Sequence, residues 1–175
     1  MGDIWRRKWF AKGEQQKVTD EFLQMYAGQV SRFISSEPEK LWEKMALIVL
    51  FDQIPRNVFR GQPDAYAFDK RAFPLAWALF SRIDELPVHF KVTVIVALCH
   101  TESVEVQNEV SKYVKERFCP LYDSTHPELV ASLQRISCNH RERVVLFGRI
   151  PERNEILGRK STEAETAFLA AVKHR

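Results

Sequence analysis

A single run in this chain has the composition of a β-strand, and it has no partner. Residues 88–98 read V-H-F-K-V-T-V-I-V-A-L, rich in the β-branched residues that favour a pleated, half-buried surface. A lone strand leaves its backbone N–H and C=O groups unpaired, and no second convincing strand stands elsewhere. The run is therefore assigned to a buried helix, and the chain to the all-α class.

The rest of the sequence is helical spacing cut by Pro and Gly. Phe22, Met25/Tyr26, Gln29/Val30 and Phe33/Ile34 recur at a helical period. Ser36-Glu-Pro-Glu39 has the form of a capping box with an early Pro. It is expected to open a helix carrying Leu41, Met45, Ile48/Val49 and Asp52 on one stripe. Pro55 is expected to end that helix near Ile54. A further helix should start near Pro63-Asp64 and run to Leu79, kinked or split by Pro74, because an interior Pro costs about 3 kcal/mol. Residues 102–118 and 127–146 read as helices, with a loop from Cys119-Pro to His126-Pro127. Thr162-Glu-Ala-Glu165 is a second capping box, opening the last helix. The count is about eight helices in one domain over residues 1–175, with short connections that imply antiparallel hairpins. No consensus recurs at the periods of helical repeats.

A net charge of +3 on 175 residues excludes a polyanion binder by overall charge, so nucleic acid is not an expected partner. The charge is uneven, however. Residues 135–160 hold seven Arg/Lys and three Glu, a local excess of four that favours an anion or an acidic surface. Three cysteines at 99, 119 and 138 form no zinc spacing and no disulfide framework, which points to a reducing, cytoplasmic setting. The longest apolar runs are too short to span a membrane, and residues 1–7 read as neither a secretory leader nor a myristoylation signal. No metal or cofactor motif is present: H-E-x-x-H, the P-loop and G-x-G-x-x-G are all missing.

One pattern occurs twice. Residues 51–61 contain F-x-Q-I-P-R-N-x-F-R-G, and residues 147–159 contain F-x-R-I-P-x-R-N-x-x-L-G-R. Each sets Arg-Asn just after Ile-Pro and places a Gly beside an Arg, so each should present guanidinium and amide groups at a bend. The planar fork of Arg matches carboxylate and phosphate oxygens. The expected ligand-binding set is therefore Arg56, Asn57, Arg60, Arg149, Arg153, Asn154 and Arg159. The same side chains suit helix-end carbonyls and loop carboxylates equally well. Asp52 falls on the apolar stripe before the first copy, where a carboxylate needs a cationic partner.

A third segment, His100-Thr-Glu-Ser-Val-Glu-Val-Gln107, would place His100, Ser103 and Gln107 on one helical face. His100 suits proton transfer near neutral pH, with Glu102 beside it. Asp52, His100 and Glu102 are the acid–base candidates, and Gln107 joins the binding set.

These segments resemble an uncharacterised, mostly bacterial family catalogued as domain of unknown function nine-two-four. Its signature, roughly L-D-Q-F-P-R-N-x-F-R-G then A-F-x-x-D, is matched by residues 47–61 and by Ala65-Tyr-Ala-Phe-Asp69. His100-Thr-Glu102 with Gln107 matches an H-S-E…Q segment. Residues 147–159 and Ser161-Thr-Glu-Ala-Glu165 match F-G-R-F-P-x-R-N-x-x-L-G-R and S-T-x-E-E. The resemblance spans nearly the whole chain and implies an all-helical, tetratricopeptide-like superhelical arrangement without an established activity. The chain departs from the family at Glu152, where His is frequent, and at Thr101, Ser103 and Val106.

The leading expectation is a cleft between the two Ile-Pro segments and the His100 segment, binding an acidic small molecule or a peptide carboxylate. The alternatives are a hydrolase or lyase using Asp52 or His100 as acid and base, and a protein-interaction scaffold of tetratricopeptide-like type.

Overall fold

The computed structural model describes residues 13–173. Among these there is no strand, and seven helical rods follow one another. The first, α1 (residues 14–32), joins Glu14–Leu23 and Ala27–Arg32 through a 3-10 turn. α2 (residues 41–58) joins Leu41–Ile48 and Ile54–Val58 through a π turn, Val49–Gln53. α3 is Asp69–Phe80, α4 is Val88–Cys99, and α5 (residues 104–122) contains a second π turn, Val114–Phe118. α6 is Pro127–Phe147 and α7 is Glu163–Lys173.

Residues 88–98 are helical, as the missing strand partner required. Nine residues of α4, from Lys91 to Cys99, are buried, which is what a helix apolar on every side demands. α4 is the axis of the main core. α3 and α6 pack on it, α2 and α5 also touch it, and α5 lies along α6. Ile48, Ile95, Leu98, Val110, Phe118 and Leu133 fill this core. A second cluster, with Leu23, Val30, Phe51, Ile54 and Val58, joins α1 to the second half of α2.

Both π turns stand just before a proline, Pro55 and Pro120. In a regular α-helix the proline ring would press on the carbonyl four residues back. Here Ile54 N bonds Val49 O, and Cys119 N bonds Val114 O, each five residues back. The extra residue loosens the turn and lets the helix continue. This corrects two expectations. α2 does not end near Ile54, and Cys119–Tyr122 is helix rather than loop. Pro74 likewise sits inside an unbroken α3.

Two capping assignments divide. The Ser36/Glu39 box does not form. α2 begins at Leu41, where Glu43 accepts from the backbone N–H of Lys40 (3.0 Å) and Glu39 (3.1 Å). Glu43, one turn into the helix, reaches those free donors, whereas Ser36 N bonds Phe33 O and so closes α1. The Thr162/Glu165 box does form, with reciprocal bonds of 3.2 and 2.7 Å. Ser103 caps α5 and His100 caps the end of α4, so His100, Ser103 and Gln107 do not share one helical face. They flank a corner between two helices.

α6 ends at Gly148, whose φ of +68° is left-handed and whose N–H bonds Val144 O at 2.8 Å. A Cβ there is strained by about 1–2 kcal/mol. Gly148→Ala is expected to lower unfolding free energy by that amount in urea titrations. A variant as stable as the parent would contradict the assignment of this bend.

Candidate functional site

The first Arg-Asn pair lies on the last turn of α2, and the π turn before it carries Asp52. That carboxylate is 1% exposed. Arg56, one turn on, donates Nη1 to Asp52 O at 2.6 Å and stands 3.1 Å from Oδ1. His100 Nδ1 meets Oδ1 at 2.8 Å, across 48 residues of sequence, and Gln53 Nε2 donates to Oδ2. Burial alone would raise the Asp52 carboxyl. The cationic Arg56, with the His100 and Gln53 donors, outweighs it and holds the acid well below the carboxylate range.

The imidazole of His100 moves the other way. Burial and the Arg56 guanidinium push it down to about 4, against the pull of Asp52. At neutral pH the ring is uncharged. Its Nδ1 holds the proton for Asp52, which leaves the Nε2 lone pair free. His140 meets this ring edge to face, with centroids 5.5 Å apart. Its Nδ1 donates to Ile136 O at 2.9 Å, so its Nε2 is also unprotonated. Burial pushes His140 down to about 4 as well, and the Arg153, Arg143 and Arg56 guanidiniums oppose its charging.

The second Arg-Asn pair arrives on the 3-10 turn Pro151–Arg153 that follows α6. Asp69, at the start of α3, joins it to the first. Asp69 Oδ2 accepts from Arg56 Nη2 at 2.8 Å and from Arg153 Nη1 at 3.4 Å. Tyr66 lies against both guanidiniums, 5.6 and 4.9 Å from its ring centroid, within cation–π range. Two cations thus share one carboxylate oxygen and one ring. Burial and the neighbouring Arg56 lower the Arg153 pKa, the signature of a crowded positive charge. Asp69 Oδ1 is buried without a hydrogen-bond partner.

Other members of the expected set hold the frame. Glu102 accepts from Ile150 N (2.9 Å) and from Arg159 Nη1 and Nη2 (2.6 and 3.0 Å). Burial would raise this carboxyl, but Arg159 and the Ile150 N–H lower it. Arg149 forks onto Glu165 at 2.6 and 2.7 Å. Arg60 bonds Asp20 at 2.8 and 3.0 Å and Asn57 Oδ1 at 3.0 Å. Asn57 Nδ2 caps Gln53 O at 2.7 Å, and Asn154 Nδ2 meets Ser161 Oγ at 3.1 Å. Gln107 ties Cys99 O and Thr101 O at 2.7 and 2.8 Å, which fixes the corner that carries His100.

Of the residues singled out in the sequence, Asp52, Arg56, His100 and Arg153 therefore converge. Tyr66, Asp69 and His140 complete the cluster. Asp69 and Tyr66 stand in the Ala65-Tyr-Ala-Phe-Asp69 motif that follows the first Arg-Asn pair. His140 sits on the inward stripe of α6 but has no motif of its own. Among the described residues no group of three or more His, Cys, Asp or Glu side chains could hold a metal ion, and no helix is long and apolar enough to cross a membrane.

Two outcomes test this electrostatic arrangement. Asp52→Asn takes the carboxylate from His100 and one of two carboxylates from Arg56, Asp69 remaining at 2.8 Å, and is expected to cost about 1–3 kcal/mol in denaturant titrations; an unchanged stability would contradict it. The depressed imidazoles of His100 and His140 mean that the unfolded chain takes up protons first on acidification. Their contribution is full above pH 6.5 and is lost as pH falls toward 4. A His100→Gln/His140→Gln double variant should lose stability less steeply over that interval, and an unchanged slope would contradict the assignment.

The sequence matches a family model described as a bacterial protein of unknown function, DUF924, over residues 3–172. No curated protein matches it. A solved structure of a protein of unknown function from Agrobacterium tumefaciens is similar, with 26% identity and a TM-score of 0.70. The likeness covers 97% of this chain and 92% of that one. The chain belongs to the DUF924 family of bacterial proteins of unknown function.

Proposed function

We propose that Arg56 and Arg153 bind the carboxylate or phosphate of a small acidic molecule or of a peptide C-terminus, and that the protein does so in the cytoplasm. The observation that carries this reading is the sharing of Asp69 Oδ2 by two guanidiniums. Among the described residues Arg153 has one ion-pair contact, at 3.4 Å to Asp69, and it is 7% exposed. A guanidinium so placed keeps donor directions for an incoming oxyanion. Tyr66 closes one side and offers a flat surface to the body of the ligand. The three free cysteines fit a reducing compartment.

The frame suits this role because it is stiff. Glu102, Arg159, Arg149 and Glu165 hold the second segment without using Arg153. An anion-binding group on a rigid support loses little entropy on binding.

A second reading rests on a different region. Between α1, α2 and α4 lies an open cavity of about 820 Å³ lined by Phe22, Tyr26, Trp42, Leu50 and Phe90 among others. An exposed aromatic groove of this size supports a tetratricopeptide-like interaction scaffold, with an apolar peptide in the groove. An apolar dye such as 1-anilinonaphthalene-8-sulfonate should then bind wild-type protein and lose its signal in Leu50→Glu. Equal signals in both would remove this reading.

The anion reading predicts that citrate or sulfate raises the thermal midpoint of the wild-type protein, as any ligand of the folded state must. Arg153→Gln should abolish that rise while keeping a cooperative unfolding transition. Equal shifts in both proteins would overturn the reading.

A further inference from the structure

α1 carries two apolar stripes, and among the described residues one of them is covered. Leu23 and Val30 face the second half of α2 and are buried there. About 100° round the helix stand Val18, Phe22, Met25 and Tyr26, all exposed, with Phe22 at 59% and Met25 at 65%. One neighbour needs a stripe a little over 100° wide, so the second stripe has room for another. Val18, Phe22 and Tyr26 line the open cavity between α1, α2 and α4, together with Trp42 from the start of α2.

The wall of that cavity has little use for polar partners. Thr19 Oγ1 donates to Gln15 O and Thr93 Oγ1 to His89 O, each at 3.0 Å within its own helix. An occupant is therefore held chiefly by apolar contact.

The stripe also reads alike from either end. Val18 and Tyr26 stand four residues on either side of Phe22, and Gln15 and Gln29 stand seven. We propose that the occupant is a second copy of this chain, laid antiparallel along α1 about a two-fold axis at Phe22. The inference rests on the reading of this groove as an interaction surface and names its partner. The axis sets Phe22 against Phe22 of the other copy, Val18 against Tyr26, and Gln15 against Gln29. Each glutamine amide has both donors and an acceptor, so the two ends of the seam can bond across it. A contact of this kind is self-complementary and closes at two copies, whereas a foreign peptide gives no reason for the symmetry.

The area is what a dimer needs. An aromatic side chain carries about 150–250 Å². At their exposures of 59, 39 and 61%, Phe22, Tyr26 and Trp42 alone leave about 300 Å² of apolar surface open, before Val18, Met25 and Leu41 are added. One side of a standard interface covers about 800 Å², a little over half of it non-polar. The patch supplies most of that non-polar share.

Sedimentation velocity from micromolar to submillimolar concentration should show wild-type protein in a reversible monomer–dimer equilibrium. Phe22→Glu removes the central contact and should raise the dimer dissociation constant by at least about thirtyfold. Its circular dichroism and its cooperative unfolding should be unchanged, because the side chain already faces solvent. In a Cys138→Ser background, Phe22→Cys oxidised with diamide should give a disulfide-linked dimer, and Lys17→Cys, outside the stripe, should not. Anilinonaphthalenesulfonate fluorescence per chain should fall as wild-type protein is concentrated and stay level in Phe22→Glu. A wild-type protein that is monomeric throughout would overturn the proposal. If that monomer binds the dye, the groove is left to a peptide and the scaffold reading stands; if it does not, both fail. A dimer that Phe22→Glu leaves intact, or that Lys17→Cys links as readily as Phe22→Cys, would overturn it as well.

Discussion

A carboxylate withdrawn from water stays charged only where cations and donors surround it, and Asp52 imposes that requirement on one end of the molecule. Arg56 must turn back onto it, His100 must arrive from the end of α4, and Gln53 must close the remaining oxygen. The π turn before Pro55 lets the same helix carry both the acid and its guanidinium. Once Arg56 and His100 are placed, the second Arg-Asn pair has a surface to meet.

The corner after α4 performs two tasks with two side chains. His100 fastens the first Arg-Asn segment through Asp52, and Glu102 fastens the second through Ile150 and Arg159. Asp69 closes the circuit by joining Arg56, 13 positions before it, to Arg153, 84 positions after it. Most of the charged groups are consumed by this frame. Arg153 has the longest ion pair of the cluster, 3.4 Å to an Asp69 oxygen that Arg56 also holds.

Much of this was legible in the sequence, for physical reasons. The unpaired β-like run identified α4, and the repeated Ile-Pro…Arg-Asn pattern and the stripe position of Asp52 led to the site. The limits are equally physical. Prolines 55 and 120 look like helix stops, because a linear pattern does not disclose whether a helix will widen into a π turn. Arg149, Arg159 and Arg60 look identical in kind to Arg56 and Arg153, because an Arg in a sequence carries no sign of the carboxylate that will claim it. Glu165 and Glu102 make that choice only when α7 and the α4–α5 corner are folded. In the sequence His140 reads as a core-edge or surface histidine on the stripe of its helix, because its contact with His100, 40 positions away, leaves no local pattern.

Two bends distant in sequence meet at Asp69, and the proposed anion site depends on Arg153 there. A crystal structure grown in sulfate tests it most directly. The account predicts tetrahedral density bonded to Arg153 and bordered by Arg56 and Tyr66, with Arg149 still on Glu165 and Arg159 still on Glu102. An Arg153 guanidinium fully bonded to protein groups, with no anion between it and Arg56, would contradict it.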